Sequence, residues 1–145
     1  YDSESLLNSL SGHDKDTMTS LFVDRKFEYK NYDLLLERII IDAGFDKSTF
    51  ELIRGDVSKT SEEFILKRPG FKISLLYLDM DLEKPTYDAL SSFWHRISKG
   101  GLVVFDEYGY HQWSESKGAD KFANENNLQI KILNCNAPTA YIKKT

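Results

Sequence analysis

Ile73-Ser74-Leu75-Leu76-Tyr77-Leu78-Asp79-Met80-Asp81 is the stretch that decides how this chain folds. An apolar run of strand length that ends in two acids separated by one residue predicts a buried parallel strand whose carboxyl end opens into a site. Glu83, Pro85 and Thr86 follow and signal a loop passing into a helix. A second apolar run, Leu102-Val103-Val104-Phe105, comes after the paired glycines Gly100-Gly101 and ends in Asp106-Glu107. If the two strands are parallel neighbours, four carboxylates meet on one rim.

Working outward from that strand, elements alternate. Upstream, Ser58 or Thr60 starts a helix holding Phe64, Ile65 and Leu66, stopped by Pro69-Gly70. Before it a short strand, Phe50 to Ile53, ends at Arg54-Gly55-Asp56. Asn31 caps an earlier helix whose Leu34, Leu35, Leu36, Ile39 and Ile40 form one apolar stripe and which Gly44 closes. The polar N-terminal segment, residues 1–24, reads as a loop or lid, with loop chemistry concentrated from Ser11 to Asp16. Downstream, a helix from Pro85 to Ser98 turns Leu90, Phe93, Trp94 and Ile97 to one side, and Gly100-Gly101 turns the chain into the second strand. After the aromatic-rich loop Gly109 to Ser114, a polar helix from Glu115 to Asn126 buries Ala119 and Phe122. Two closing strands, Leu128 to Leu133 and Thr139 to Lys143, flank Asn134 to Pro138. The pattern is a single α/β domain with an open, mostly parallel sheet and an antiparallel finish.

Bulk properties narrow the partners. With 145 residues, 41% hydrophobic and 13% aromatic, the chain can bury a real core. Its net charge of -4, from 19 Lys plus Arg against 23 Asp plus Glu, offers no basic field for nucleic acid. No apolar run is long enough to span a bilayer and Tyr1 to Ser5 lacks signal-peptide character, so the expectation is a soluble cytoplasmic protein. The single Cys135, set in the strand pattern Ile130 to Cys135, reads as a buried inert thiol. His95 reads as a packing or surface residue. His111, Tyr110 and Trp113 either border a substrate pocket or pack their loop, and His13 has no evident partner.

Hard divalent cations take oxygen ligands, and magnesium needs only a few carboxylates. Asp79, Asp106 and Glu107 suit that role, and Asp81, just beyond them, suits a general base for a substrate hydroxyl. The spacing equally admits ordinary solvated acids at strand ends. It also admits a D-x-D glycosyltransferase that binds a sugar nucleotide with manganese. An aspartyl-phosphate phosphatase fits less well, because Glu83 stands where those enzymes carry Thr or Val. No glycine-rich phosphate cradle is present. Asp56, at the end of its own strand, either meets a ligand or starts the Ser58 turn.

Together, Gly55-Asp56-Val57-Ser58-Lys59-Thr60, Leu76-Tyr77-Leu78-Asp79-Met80-Asp81-Leu82, Pro85-Thr86, Ala89-Leu90, Gly100-Gly101 and Asp106-Glu107-Tyr108 resemble the macrocin-type sugar O-methyltransferases. These are metal-dependent class I methyltransferases that use S-adenosylmethionine. The resemblance is strong from Gly55 to Phe122 and weak before it. It implies a Rossmann-like methyltransferase sheet and methyl transfer to a hydroxyl of a sugar or sugar-containing natural product. It further implies magnesium on Asp79, Asp106 and Glu107, the last replacing a more usual aspartate, and Asp81 as base. Asp56 and Asp79 fall on the cofactor side, and Trp113, Ala119 and Phe122 match the loop and helix after the second acidic pair. A small sugar acceptor is the implied partner, and a homo-oligomer is compatible with it.

The departure from that pattern is the missing glycine-rich loop that follows the first strand of such folds. The family places its first and second strands between the third and fourth, and on that pattern the expectation is that both are lacking here, with Tyr1-Asp2 matching the acidic end of the second. The expectation is a C-terminal, partial methyltransferase domain, or a protein without cofactor binding and hence a non-catalytic module.

Overall fold

The computed structural model describes residues 8, 10, 12–23 and 32–145. Tyr1-Asp2, the cap Asn31 and much of the expected lid lie outside the described residues. In chain order the elements are α1 (Gly12–Val23), α2 (Tyr32–Asp42), α3 (Val57–Lys67), β1 (Ile73–Leu78), α4 (Glu83–Phe93), β2 (Ile97–Phe105), α5 (Glu115–Glu125), β3 (Lys131–Ile132) and β4 (Ala140–Lys143), with single 3-10 turns at Lys47–Thr49 and Trp94–Arg96. The four strands form one sheet in the order β1-β2-β4-β3. β1 and β2 are parallel, as the two acid-ended runs predict, while β4 runs antiparallel to both β2 and β3.

Register determines which side chains share a face. Leu76 lies opposite Val103 and Leu78 opposite Phe105, and Val103 and Phe105 in turn face Ile142 and Ala140. This side of the sheet meets Ala89 and Leu90 of α4 and Ala119, Phe122 and Ala123 of α5, forming the core. Leu78, Leu90, Phe105 and Ile142 are almost completely buried, each worth about 1.5–3 kcal/mol against exposure. Trp94 and Tyr87 close the cluster edge-on to Phe122. α3 packs against α4 through Phe64 on Phe93 and a Ser61–Ser92 hydroxyl pair of 3.1 Å. On the opposite side of β1, Leu75 and Tyr77 stand 57% and 53% exposed. No helix among the described residues is long and apolar enough to cross a membrane.

Several sequence expectations are corrected. Residues 50–54 form no strand, and Leu52 and Ile53 are exposed; a strand needs a neighbour for its N–H and C=O groups, and among the described residues nothing pairs with the outer edge of β1. α2 forms and ends where Gly44 takes φ +93°, but Leu34, Leu35 and Ile39 of its stripe are solvent-exposed. Residues 12–23 are helical where a loop was expected. α4 starts at Glu83 and ends at Phe93, so Ile97 and Ser98 belong to β2. Gly100-Gly101 therefore sits inside a strand rather than before it. The pairing jumps from Ile73↔Ile97 to Leu75↔Leu102, and Gly100 absorbs the bulge at φ +83° while Gly100 and Gly101 exchange hydrogen bonds with Lys144. The closing strands contract to two and four residues. Cys135 consequently leaves the sheet and is an exposed thiol in the intervening turn, its Sγ 3.1 Å from the Ala137 carbonyl.

Candidate functional site

Because Leu78 and Phe105 are register partners, the two strands release their acids side by side, and the Asp106 N–H still donates to the Leu78 carbonyl at 3.0 Å. Asp79, Asp81, Asp106 and Glu107 thus share the carboxyl-end rim. Their mutual repulsion is visible in Asp81, whose carboxyl is pushed up to about 6 by burial first, then by Asp79, Glu107 and Asp106. The Tyr77 hydroxyl donates to Asp106 Oδ1, and this bond, with burial and the charges of Asp106, Asp79 and Glu115, pushes the phenol up to about 12. As the side chains stand, no three His, Cys, Asp or Glu groups among the described residues converge tightly enough to hold a metal ion. The donor chemistry of Asp79, Asp106 and Glu107 fits a hard cation; their present rotamers do not converge on one.

Beyond Asp79 the backbone makes an unusual turn. Asp81 has φ +60°, a left-handed conformation that costs a non-glycine residue about 1–2 kcal/mol. The start of α5 holds it there. The Asp81 carbonyl accepts the N–H groups of Ser114 and Glu115 at 2.9 and 3.0 Å, while Glu115 Oε2 accepts the Met80 N–H at 2.9 Å. Glu115 is 1% exposed, and its other oxygen has no hydrogen-bond partner among the described residues. Burial pushes this carboxyl up to about 7, opposed by the Met80 and Asp81 N–H groups and reinforced by the charges of Asp81 and Asp79. Ser114 is also buried. Its Oγ accepts the Glu83 N–H at 2.8 Å and donates to Asp14, whose other oxygen accepts the same N–H at 3.3 Å. An acid at the first turn of α4 is favoured by the helix dipole, and here it ties α1 to the rim.

Sequence reasoning missed Asp14, Ser114 and Glu115. Ser-Glu at a helix start reads as routine capping, and nothing local announces that the carboxylate turns inward. His13, without an evident partner in sequence, lies with Nε2 3.3 Å from the Gln112 carbonyl. His111 is exposed and stacks obliquely on Tyr110, 4.9 Å between ring centres. Trp113 is half-buried, its backbone N–H donating to the Tyr110 carbonyl at 3.2 Å. A cleft of about 520 Å³ opens where α1 meets α4 and α5, lined by His13, Asp14, Glu83, Lys84, Tyr87 and Lys117 among others.

Asp56 takes the turn role: its carboxylate accepts the Ser58 N–H at 3.0 Å and caps α3. Replacing Asp56 with Ala is expected to lower stability by about 1 kcal/mol, read as a shift in denaturant midpoint. Asp56→Asn, which keeps the acceptor, should recover most of that loss.

The macrocin-O-methyltransferase (TylF) family model matches residues 23–144, reaching well upstream of the motifs that suggested it. No curated protein matches. Among solved structures, the apo form of CalS11, a TDP-rhamnose 3'-O-methyltransferase of calicheamicin biosynthesis, is 29% identical with a TM-score of 0.58, over 63% of this chain and 40% of its own. A second CalS11 structure is 25% identical with a TM-score of 0.68, over 78% and 47%. The O-methyltransferase NovP, at 14% identity, shares the fold with a TM-score of 0.74 over 94% of this chain and 53% of its own. The chain therefore spans about half, or less, of the structures it matches. The α/β sheet with its antiparallel finish, the paired acid-ended strands and a family match over residues 23–144 agree, and the chain belongs to the macrocin-O-methyltransferase family.

Proposed function

We propose that the protein containing these residues is a cytoplasmic enzyme that transfers a methyl group from S-adenosylmethionine to a hydroxyl of a sugar or sugar-bearing natural product. The observation that carries this reading is Asp81, half-buried among three other carboxylates at the mouth of the paired strands and held in a fixed loop, in a chain of a methyltransferase family. S-adenosylmethionine, when bound, supplies a methyl group on a sulfonium sulfur. The residues here provide the acceptor side of the reaction. The Asp81 carboxylate would take the proton of the acceptor hydroxyl as its oxygen receives the methyl group, the sulfonium of S-adenosylmethionine supplying that methyl and leaving as a neutral thioether. Asp79, Asp106 and Glu107 would hold magnesium, which when bound supplies Lewis-acid polarisation of a hydroxyl. The cleft beside α1, with His13 and Lys84 on its walls, suits the acceptor body. Asp56, at the start of α3, belongs on the cofactor side with Asp79. A sugar acceptor is supported by the activity of CalS11.

The glycosyltransferase alternative calls for a sugar nucleotide with manganese and no methyl donor; family membership favours methyl transfer. The test is formation of S-adenosylhomocysteine by the intact protein over a panel of sugar nucleotides and glycosides, with and without a chelator. Calorimetry with S-adenosylmethionine is run alongside. Binding and turnover support the enzyme, and turnover abolished by chelation supports the metal assignment. Absence of methyl-donor binding by the intact protein would favour a non-catalytic module.

A further inference from the structure

We propose that Glu115 is a positioning residue for the Asp81 base, acting through the backbone of the Met80–Asp81 loop without touching substrate; this rests on the reading of Asp81 given above. The two segments grip each other in both directions. α5 donates through the Ser114 and Glu115 N–H groups to the Asp81 carbonyl, and the Glu115 carboxylate accepts from the Met80 N–H. The Met80 N–H, the Met80 carbonyl and the Asp81 carbonyl are thereby all occupied, since the Met80 carbonyl takes the Leu82 N–H at 2.6 Å. A non-glycine residue at φ +60° persists only where its surroundings over-determine it. Here the surroundings are the start of α5, through two backbone N–H groups and one buried side chain, that of Glu115.

The burial of Glu115 is costly by itself. A carboxyl group 1% exposed, with one oxygen unpartnered among the described residues, is a poor choice for packing alone. An apolar residue of similar size would fill the same space without that penalty. What it could not do is accept the Met80 N–H, and that bond fixes the backbone from which the Asp81 side chain leaves for the rim.

The test uses the intact enzyme with Glu115→Ala, Glu115→Gln and each of these combined with Asp81→Asn. Glu115→Ala is expected to lower kcat by about 10–100-fold with the affinity for S-adenosylmethionine unchanged, while Glu115→Gln, which keeps an acceptor oxygen, stays within about threefold of the parent. In the Asp81→Asn background Glu115→Ala should add little, because a residue that acts only by aiming Asp81 has nothing left to aim. If Glu115→Ala fails to fold, Glu115→Asp, with its carboxylate retracted by one methylene, takes its place in every comparison. Unchanged kcat in the folded Ala variant, equal losses in Ala and Gln, or full additivity with Asp81→Asn would each overturn the assignment. Amide exchange provides a readout independent of methyl transfer: Met80 should lose protection in Glu115→Ala. Loss of protection in a protein that methylates nothing would leave the clamp standing and refute the proposed function; retained protection would refute the clamp.

Discussion

If Asp81 is the base proposed above, replacing it with Asn is expected to lower kcat of the intact enzyme by about 10²–10⁴-fold, the range over which a positioned general base contributes, and to leave the melting temperature at or above that of the parent. The separation of the two effects follows from the local structure. Asn is among the few residues that tolerate the left-handed region, so the φ of +60° at position 81 survives the change. The carbonyl that accepts from Ser114 and Glu115 is backbone and is untouched. What disappears is a carboxylate that burial and three neighbouring acids already disfavour in its charged form, and its removal relieves repulsion. An amide cannot accept the hydroxyl proton, so chemistry suffers while folding does not. Steady-state kinetics with calorimetry for S-adenosylmethionine checks both halves, and undiminished turnover would move the base to another residue.

The parts of the molecule legible in sequence are those written in local pattern. Ile73 to Leu78 is read correctly because a strand-length apolar run bounded by acids has few other solutions, and the parallel partner follows from the second run. The antiparallel return of the last strand also follows, because its separation from the preceding strand is hairpin-like. What escapes is set by distant partners. Phe50 to Ile53 has strand composition, yet composition cannot supply the neighbour whose N–H and C=O groups would make it one. Gly100-Gly101 reads as a turn because paired glycines usually are one; only the pairing of Gly100 and Gly101 with Lys144 shows the bulge inside β2. The acids of the rim announce themselves, but the residues that hold them do not. Asp14, Ser114 and Glu115 look like surface polar residues until the fold brings α1, α4 and α5 to one corner. Cys135 fails in the opposite sense, since the strand expected to bury it ends three residues earlier at Ile132.

Gly118 carries the largest expected effect on stability. A Cβ built there would lie 2.3 Å from the Glu83 carbonyl oxygen, 3.1 Å from its carbon and 3.2 Å from Thr86 Cβ. The obstruction is therefore the first turn of α4 itself, and not the tip of a side chain that can swing aside. Thr86 cannot yield either, being completely buried with its Oγ donating to the Leu82 carbonyl at 2.8 Å. Helix propensity alone would favour Ala over Gly by about 1 kcal/mol, so any loss measured in Gly118→Ala understates the clash. Overpacking of this kind costs about 1–3 kcal/mol, sometimes more, and with backbone as the obstacle the upper end applies. Gly118→Ala should destabilise by about 2 kcal/mol or more in denaturant titration, and Gly118→Val by more still. Gly70→Ala, where a Cβ meets nothing within 4 Å, serves as the control and stays within about 0.5 kcal/mol. The damage also reaches the rim. Glu115 is one helical turn before Gly118 on α5, and Glu83 is two residues after Asp81, so pushing the two helices apart strains the Asp81 loop from both ends. Folded Gly118→Ala should accordingly lose turnover beyond its loss of stability, and a variant as stable and as active as the parent would show that α4 and α5 do not meet this closely in solution.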